Sequence, residues 1–305
     1  MGVLVQLLFL LASTVELSPG ISLEIHLLRP QLGSSGHHVP GLSCLSWRLG
    51  VETHNIIEWS TVPQACESYV GHYMLGDQYR KDSGAVVYEA ITHAQSLKLA
   101  GDGKDIWVFD IDETSLSNLP YFAKHGFGVE AYNSTQFNNW IYEGKAPPLP
   151  ESLKLYKKLQ SLGIKPVFIT GRPEAQRNVT AANLQNAGYH TWEKLILKGS
   201  SVTGTAVAYK SNERKKLEQS GYRIVGNIGD QWSDILGTNL LMISFFVVRD
   251  LSAGITVVYK SNERKKLEKS GYRKIENIDN QWSDILGTNT ENRTFKLSDP
   301  MYYIS

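Results

Sequence analysis

Between Cys66 and Leu99, apolar residues recur at intervals of three and four: Val70, Tyr73, Met74, Tyr79, Val86, Val87, Ala90, Ile91, Ala94 and Leu97. That spacing predicts amphipathic helix, in one piece or two. Tyr69, Tyr73 and Tyr79 share the stripe and read as packing residues rather than a ligand face. After the turn Ala100-Gly-Asp-Gly103 the period changes. Ile106 to Phe109 is an unbroken apolar run with β-branched and aromatic members, the pattern of a strand buried on both faces of a parallel sheet. Helical spacing returns at Leu153, Leu155, Leu159 and Leu162 and closes at Gly163. Strand-like runs follow at 166–169, 194–197 and 222–228, with Tyr209-Lys210-Ser211 leading into a charged helix over 212–219. Strand, helix and strand in alternation predict βαβ units. The fold class expected is α/β, a Rossmann-like parallel sheet with helices on both faces.

The ends of these strands carry the chemistry. The central run stops at Asp110 and Asp112, with Thr114 behind them. In open α/β sheets, ligands sit beyond the carboxyl ends of the strands. Two like charges two residues apart are costly unless a cation or a shared proton neutralises them. The second strand ends in Thr170-Gly171-Arg172, which offers a hydroxyl, a backbone open to close approach and a permanent charge. A helix starting after Glu174 would present its amino end to an anion. The last strand ends in Gly229-Asp230-Gln-Trp-Ser-Asp234, so hard oxygen ligands from two loops can converge on a divalent cation. Taken singly, each of these is also what a plain acidic turn or a strand-to-helix turn looks like. Directly after the first acidic pair comes an aromatic stretch from Tyr121 to Tyr142, ended by Pro147, Pro148 and Pro150. Its place in the chain predicts a small helical cap over about 118–150, with His125 as a structural residue inside it.

Composition narrows the partners. Lys plus Arg number 31 against 30 Asp plus Glu, a net charge of +1, so nothing argues for nucleic acid or an acidic membrane surface. The apolar run Val3–Ala12 is too short to span a bilayer and fits a signal peptide over 1–20. Residues 21–65 then read as a leader arm, turn-rich up to about 43. In an oxidising compartment Cys44 and Cys66 would pair; the alternative is two buried free thiols. Acceptor sequons for N-glycosylation stand at Asn133, Asn178 and Asn292.

Several longer strings make the chain resemble one family closely. They are Cys44-Leu-Ser-Trp-Arg-Leu-Gly-Val-Glu, Tyr69-Val-Gly-His-Tyr-Met-Leu-Gly, Lys98-Leu-Ala-Gly-Asp-Gly-Lys-Asp, Phe109-Asp-Ile-Asp-Glu-Thr, Ser117-Asn-Leu-Pro and Asp299-Pro-Met-Tyr-Tyr. With the four strand ends, they resemble the haloacid dehalogenase superfamily and, within it, the plant class B acid phosphatases and vegetative storage proteins. The resemblance implies hydrolysis of small-molecule phosphate monoesters through an aspartyl-phosphate, with Mg²⁺. By matching position, Asp110 would be the nucleophile and Asp112 the acid-base. Thr170 would hold the transferring phosphoryl oxygens with Gly171 and Arg172, and Lys210 would pair with Asp110 and the phosphate. Asp110, Asp112 through its carbonyl, Asp230 and Asp234 would serve the metal. A secreted or vacuolar location follows, with a homodimer as the candidate assembly. The rival reading is a storage protein with little or no catalysis, although the nucleophilic aspartate is present here.

One feature departs from the pattern. Residues 207–239 recur at 257–289, with 26 of 33 positions identical (33 − 7). The differences 224/274, 226/276 and 229/279 replace Ile, Gly and Gly by Lys, Glu and Asp, and Asp230 becomes Asn280. A sheet has one slot for this unit. A buried unpaired Lys or Glu costs several kcal/mol, so copy one is expected to take the slot and build the site. The phosphatase domain is thus expected over 66–239, with 240–305 holding the duplicate and a family-like tail. The charge-free run Leu240–Val248 between the copies is too short to cross a membrane as a helix.

Overall fold

The structure, a computed structural model, describes residues 38–39, 42–200, 202–235 and 293–304. The leader, most of the arm before residue 42, the second repeat copy and Asn292 lie outside the described residues.

A short antiparallel pair, β1 (His38–Val39) and β2 (Leu42–Ser43), leads into α1 (Cys44–Glu52). Ser43 caps this helix by accepting from Ser46 N at 3.1 Å. Cys44, Trp47 and Val51 fall on one face at helical spacing and are buried in the main core. Residues 44–65, read from sequence as the second half of a leader arm, therefore belong to the folded body. The turn signals before residue 43 masked a helix whose burial depends on a distant partner, Cys66, which bridges to Cys44 with Cα atoms 5.4 Å apart.

The periodic stretch that follows forms two helices, α2 (Glu67–Leu75) and α3 (Asp77–Ser96), broken at Gly76. Tyr73 and Tyr79 of the tyrosine stripe are buried in packing, ring centroids 5.8 Å apart. The central strand β3 (Asp105–Phe109) is buried at every position. Its alternate residues serve two cores: Trp107 and Phe109 join the cluster with α3, while Ile106 and Val108 join the smaller cluster with Tyr209 and Leu217. Helices therefore cover both faces, which is why no polar alternation was visible in the run.

Beyond β3 the stretch expected to form a cap contains α4 (Leu119–Phe122) and α5 (Ser134–Glu143), followed by α6 (Pro150–Ser161). His125 Nδ1 donates to Glu130 Oε2 at 2.8 Å beside the Tyr121 ring, a local structural role. The sheet continues with β4 (Lys165–Pro173), α7 (Arg177–Asn186), β5 (Lys194–Lys198), α8 (Ala206–Gln219), β6 (Arg223–Gly229) and α9 (Trp232–Ile235). α8 starts six residues earlier than the charge pattern indicated, capped by Thr205, so Lys210 lies inside a helix rather than before one. The final strand, β7 (Arg293–Lys296), comes from the tail. All five strands pair in parallel in the order β5-β4-β3-β6-β7. The strand order reverses at β3, and its carboxyl end marks the switch-point crevice.

Candidate active site

Asp110 leaves β3 at that switch point, held by Asp110 N donating to Ile228 O of β6 at 3.1 Å. The next turn is closed by Ser115 N and Leu116 N donating to Ile111 O, and by Ser115 Oγ donating to Asp110 O at 2.7 Å. Glu113 takes a left-handed conformation, φ +51°, with its buried carboxylate accepting from Asn118 N. Such a backbone costs about 1–3 kcal/mol and persists only where surrounding bonds impose it. The result is a rigid loop that fixes the directions of Asp110 and Asp112.

Three carboxylates converge behind it. Oxygens of Asp110, Asp230 and Asp234 all lie within 4.8 Å of one another, and all three residues are buried. Lys210, reaching in from α8, donates to Asp110 Oδ1 at 2.5 Å and to Asp234 Oδ1. Asp234 Oδ2 accepts Gln231 N at 2.9 Å. Asp230 Oδ1 accepts Thr114 Oγ1 at 2.9 Å, while its Oδ2 accepts Gln231 Nε2 at 2.9 Å and the Tyr302 hydroxyl at 3.0 Å.

Asp112 stands apart, partly open to the cap side. Arg172 clamps it through Nε and Nη2, the shortest bond being 2.7 Å, and Asn118 Nδ2 donates to Oδ1 at 2.8 Å. Trp140 of the cap holds Asn118 in turn, Nε1 to Oδ1 at 2.9 Å. Arg172 was expected on substrate; here its guanidinium lies on Asp112 and, through Nη1, on Thr180 Oγ1 at 3.2 Å. Thr170 is fully buried within β4 and its hydroxyl accepts Arg172 N at 3.2 Å. Gly171 is exposed, and a Cβ there would meet nothing within 4 Å, so its backbone borders open space.

The charges are unequal in their comfort. Burial, then Asp234, pushes the Asp110 carboxyl well above its ordinary range against the pull of Lys210. Burial, then Asp234 and Asp299, does the same to Asp230. Burial would lower the Lys210 ammonium, yet Asp110 and Asp234 outweigh it and hold the charge on. Burial also opposes ionisation of Asp112, but Arg172 and Asn118 bring it below the ordinary value. Glu113 is pushed up to about 8 by burial and by Asp230. Three buried carboxylates crowded around one ammonium are relieved by a further cation, and an all-oxygen donor set of this kind fits a hard divalent metal ion.

The sequence pointed to the two acidic pairs, Thr170, Arg172 and Lys210, and the structure brings them to one end of the sheet. It also adds Glu113, Asn118, Gln231, Asp299 and Tyr302 to the same polar network. All five stand in strings already singled out, Gln231 at the end of the last strand-like run and the others in the family-like strings, but their contacts with the carboxylates needed the fold. Asn133 is exposed as the N-cap of α5, and Asn178 is exposed on α7, but the hydroxyl of its sequon residue Thr180 is already bonded to Arg172.

Comparison with known proteins shows the family. The family model described as HAD superfamily, subfamily IIIB (Acid phosphatase), matches residues 31–250 and 244–305. Acid phosphatase 1 of Solanum lycopersicum is 48% identical over 205 residues, covering 67% of this chain and 80% of that protein. The stem 28 kDa glycoprotein of Glycine max is 52% identical over 204 residues, covering 66% and 80%. Vegetative storage protein 2 of Arabidopsis thaliana is 42% identical over 241 residues, covering 76% and 91%. With its parallel sheet and its acidic switch-point site, the chain belongs to the subfamily IIIB acid phosphatases of the HAD superfamily.

Proposed function

We propose that this protein hydrolyses small phosphate monoesters through an aspartyl-phosphate on Asp110. The observation that carries the reading is the convergence of Asp110, Asp230 and Asp234 around Lys210 at the carboxyl end of β3 and β6. Asp110 supplies the attacking oxygen. Its bond to phosphorus forms as the ester P–O bond breaks, and Asp112 gives a proton to the leaving oxygen. Asp112 then takes a proton from water, whose oxygen bonds to phosphorus as the Asp110–P bond breaks, releasing phosphate. Thr170, the Gly171 backbone and Lys210 hold the phosphoryl oxygens, since a loose transition state needs mainly positioning and charge stabilisation. Arg172, which keeps Asp112 ionised in the arrangement above, is drawn by the substrate phosphate and thereby returns Asp112 towards its acid form. Mg²⁺ held by Asp110, Asp230 and Asp234, with the carbonyl of Asp112, would offset the repulsion between carboxylate and phosphate.

The storage-protein reading rests on relatives of that name at 42% and 45% identity. Against it, every residue assigned to the chemistry is present and assembled. The Cys44–Cys66 bridge and the exposed sequon Asn133 support passage through the secretory pathway, to the vacuole or outside the cell, as a glycoprotein. No helix among the described residues is long and apolar enough to cross a membrane. A homodimer remains part of the proposal, for size-exclusion chromatography with light scattering to decide. Purified protein should hydrolyse a chromogenic phosphate ester with Mg²⁺ and not in EDTA, and Asp110→Asn should abolish turnover while keeping the fold. Beryllium fluoride should inhibit only with the metal present. Wild-type rates in Asp110→Asn would remove the nucleophile from the scheme.

A further inference from the structure

The C-terminal tail reaches the site from a distance in sequence. After β7, Leu297 N donates to Gly229 O at 2.9 Å, extending the pairing one step past the sheet. The chain then turns at Asp299-Pro300, with Asp299 Oδ1 accepting Met301 N at 2.9 Å. The turn is seated tightly on the glycine at position 128, where a Cβ would lie 1.9 Å from Met301 O. Tyr302 is delivered between two partners. Its ring stacks on Phe122 of the cap, centroids 5.2 Å apart at 14°, and its hydroxyl donates to Asp230 Oδ2 at 3.0 Å. Gln231 ties the arrangement together. Its Nε2 donates to Asp230 Oδ2 at 2.9 Å and to Asp299 Oδ2 at 3.2 Å, and its Oε1 accepts Ile304 N at 3.2 Å.

A carboxylate can hold a cation well only if its lone pairs point in a fixed direction. Partners that fix a metal ligand from behind typically govern affinity by about 10–100-fold. Among the described residues Asp230 has three side-chain donors: Thr114 from the loop after β3, its neighbour Gln231, and Tyr302. Tyr302 alone of these comes from the tail, and its ring rests on the cap. It therefore connects Phe122, the tail and Asp230.

We infer that Tyr302 is a positioning residue of the metal site: its hydroxyl aims Asp230 at the cation, which makes the last residues of the chain part of the catalytic apparatus. This rests on Asp230 being a Mg²⁺ ligand. The ring's contact with Phe122 contributes packing; the hydroxyl contributes aim. These two contributions separate cleanly in a pair of substitutions.

The experiment is calorimetric titration of the full chain with Mg²⁺, alongside thermal melting in EDTA, for wild type, Tyr302→Phe, Phe122→Leu and Asp230→Asn. Tyr302→Phe keeps the ring and should weaken Mg²⁺ binding about tenfold, with an unchanged melting temperature in EDTA and turnover recovered at saturating Mg²⁺. Phe122→Leu keeps the hydroxyl and should lower the melting temperature while retaining wild-type affinity. The inference is overturned if Tyr302→Phe binds Mg²⁺ as wild type does while Asp230→Asn does not. It is overturned equally if Phe122→Leu weakens binding as much as Tyr302→Phe, or if the Tyr302→Phe loss comes with a lower melting temperature in EDTA, because packing then explains the effect. Wild-type affinity in Asp230→Asn would instead remove Asp230 as a ligand, and the role of Tyr302 with it.

Discussion

In the sheet, Gly226 of the first repeat copy lies against Trp107 of β3; the second copy carries Glu276 at the matching position. A Cβ at 226 would stand 2.4 Å from the indole ring, and one at 229 would stand 2.3 Å from the Asp234 Cβ. The second copy has Asp279 at the latter position, Lys274 in place of the buried Ile224, and Asn280 in place of Asp230. Two stretches that agree at 26 of 33 positions thus differ at the places where the slot between β3 and β7 tolerates no change. Identity over a segment says little about whether it fits; the few positions in close contact decide. The tail also docks on copy one, since β7 pairs with β6 from Gly226 to Gly229. Its contacts therefore support the first copy.

The largest effect should come from moving the second copy's residues into the first. Gly226→Glu places a side chain where there is no room and a charge against the Trp107 ring, costing several kcal/mol. It should abolish cooperative thermal unfolding, and a normal melt would break the steric argument. Next, excision of residues 240–289 should leave a folded, active chain, whereas excision of 207–256 should leave an inactive one. Equal activity in the two deletions would show the copies to be interchangeable. Away from the repeat, reducing the Cys44–Cys66 bridge frees α1 from the core and should cost about 2–5 kcal/mol, read as a shift in urea midpoint.

A further effect concerns pH. Glu113 has a raised carboxyl, about 8, so the folded protein binds more protons than the unfolded chain between the ordinary glutamate value and that point. Stability should be full below the ordinary value and fall as pH rises towards 8. Asp230 and Asp299, raised for the same reason of burial, act in the same direction. In EDTA the melting temperature should be higher at pH 5 than at pH 8, and Glu113→Gln should narrow the gap. A gap that is unchanged, or reversed in sign, would refute this role for Glu113.

The sheet was legible because each parallel strand is an apolar run bounded by turn residues, and the site was legible because its carboxylates stand where those runs stop. Other parts depend on contacts that no local pattern carries. α1 holds only three core residues, and its bridge partner lies 22 residues away. The first turn of α8, residues 206–209, is uncharged, so the pattern of charges placed its start too late and left Lys210 outside it. The pairing of Arg172 with Asp112 joins strand ends 60 residues apart. The tail's role could not be read at all, because the string Asp299-Pro-Met-Tyr-Tyr gains meaning only once β7 has paired with β6.

The central claim is that the first copy builds a metal-dependent phosphatase site, and one assay addresses it most directly. Hydrolysis of a chromogenic phosphate ester is measured with and without Mg²⁺ for wild type, Asp230→Asn and Asp284→Asn. The last position belongs to the second copy, outside the described residues. Asp230→Asn should eliminate the Mg²⁺-dependent rate, and Asp284→Asn should leave it close to wild type. A damaged Asp284→Asn beside an unharmed Asp230→Asn would contradict the account and move the site to the second copy.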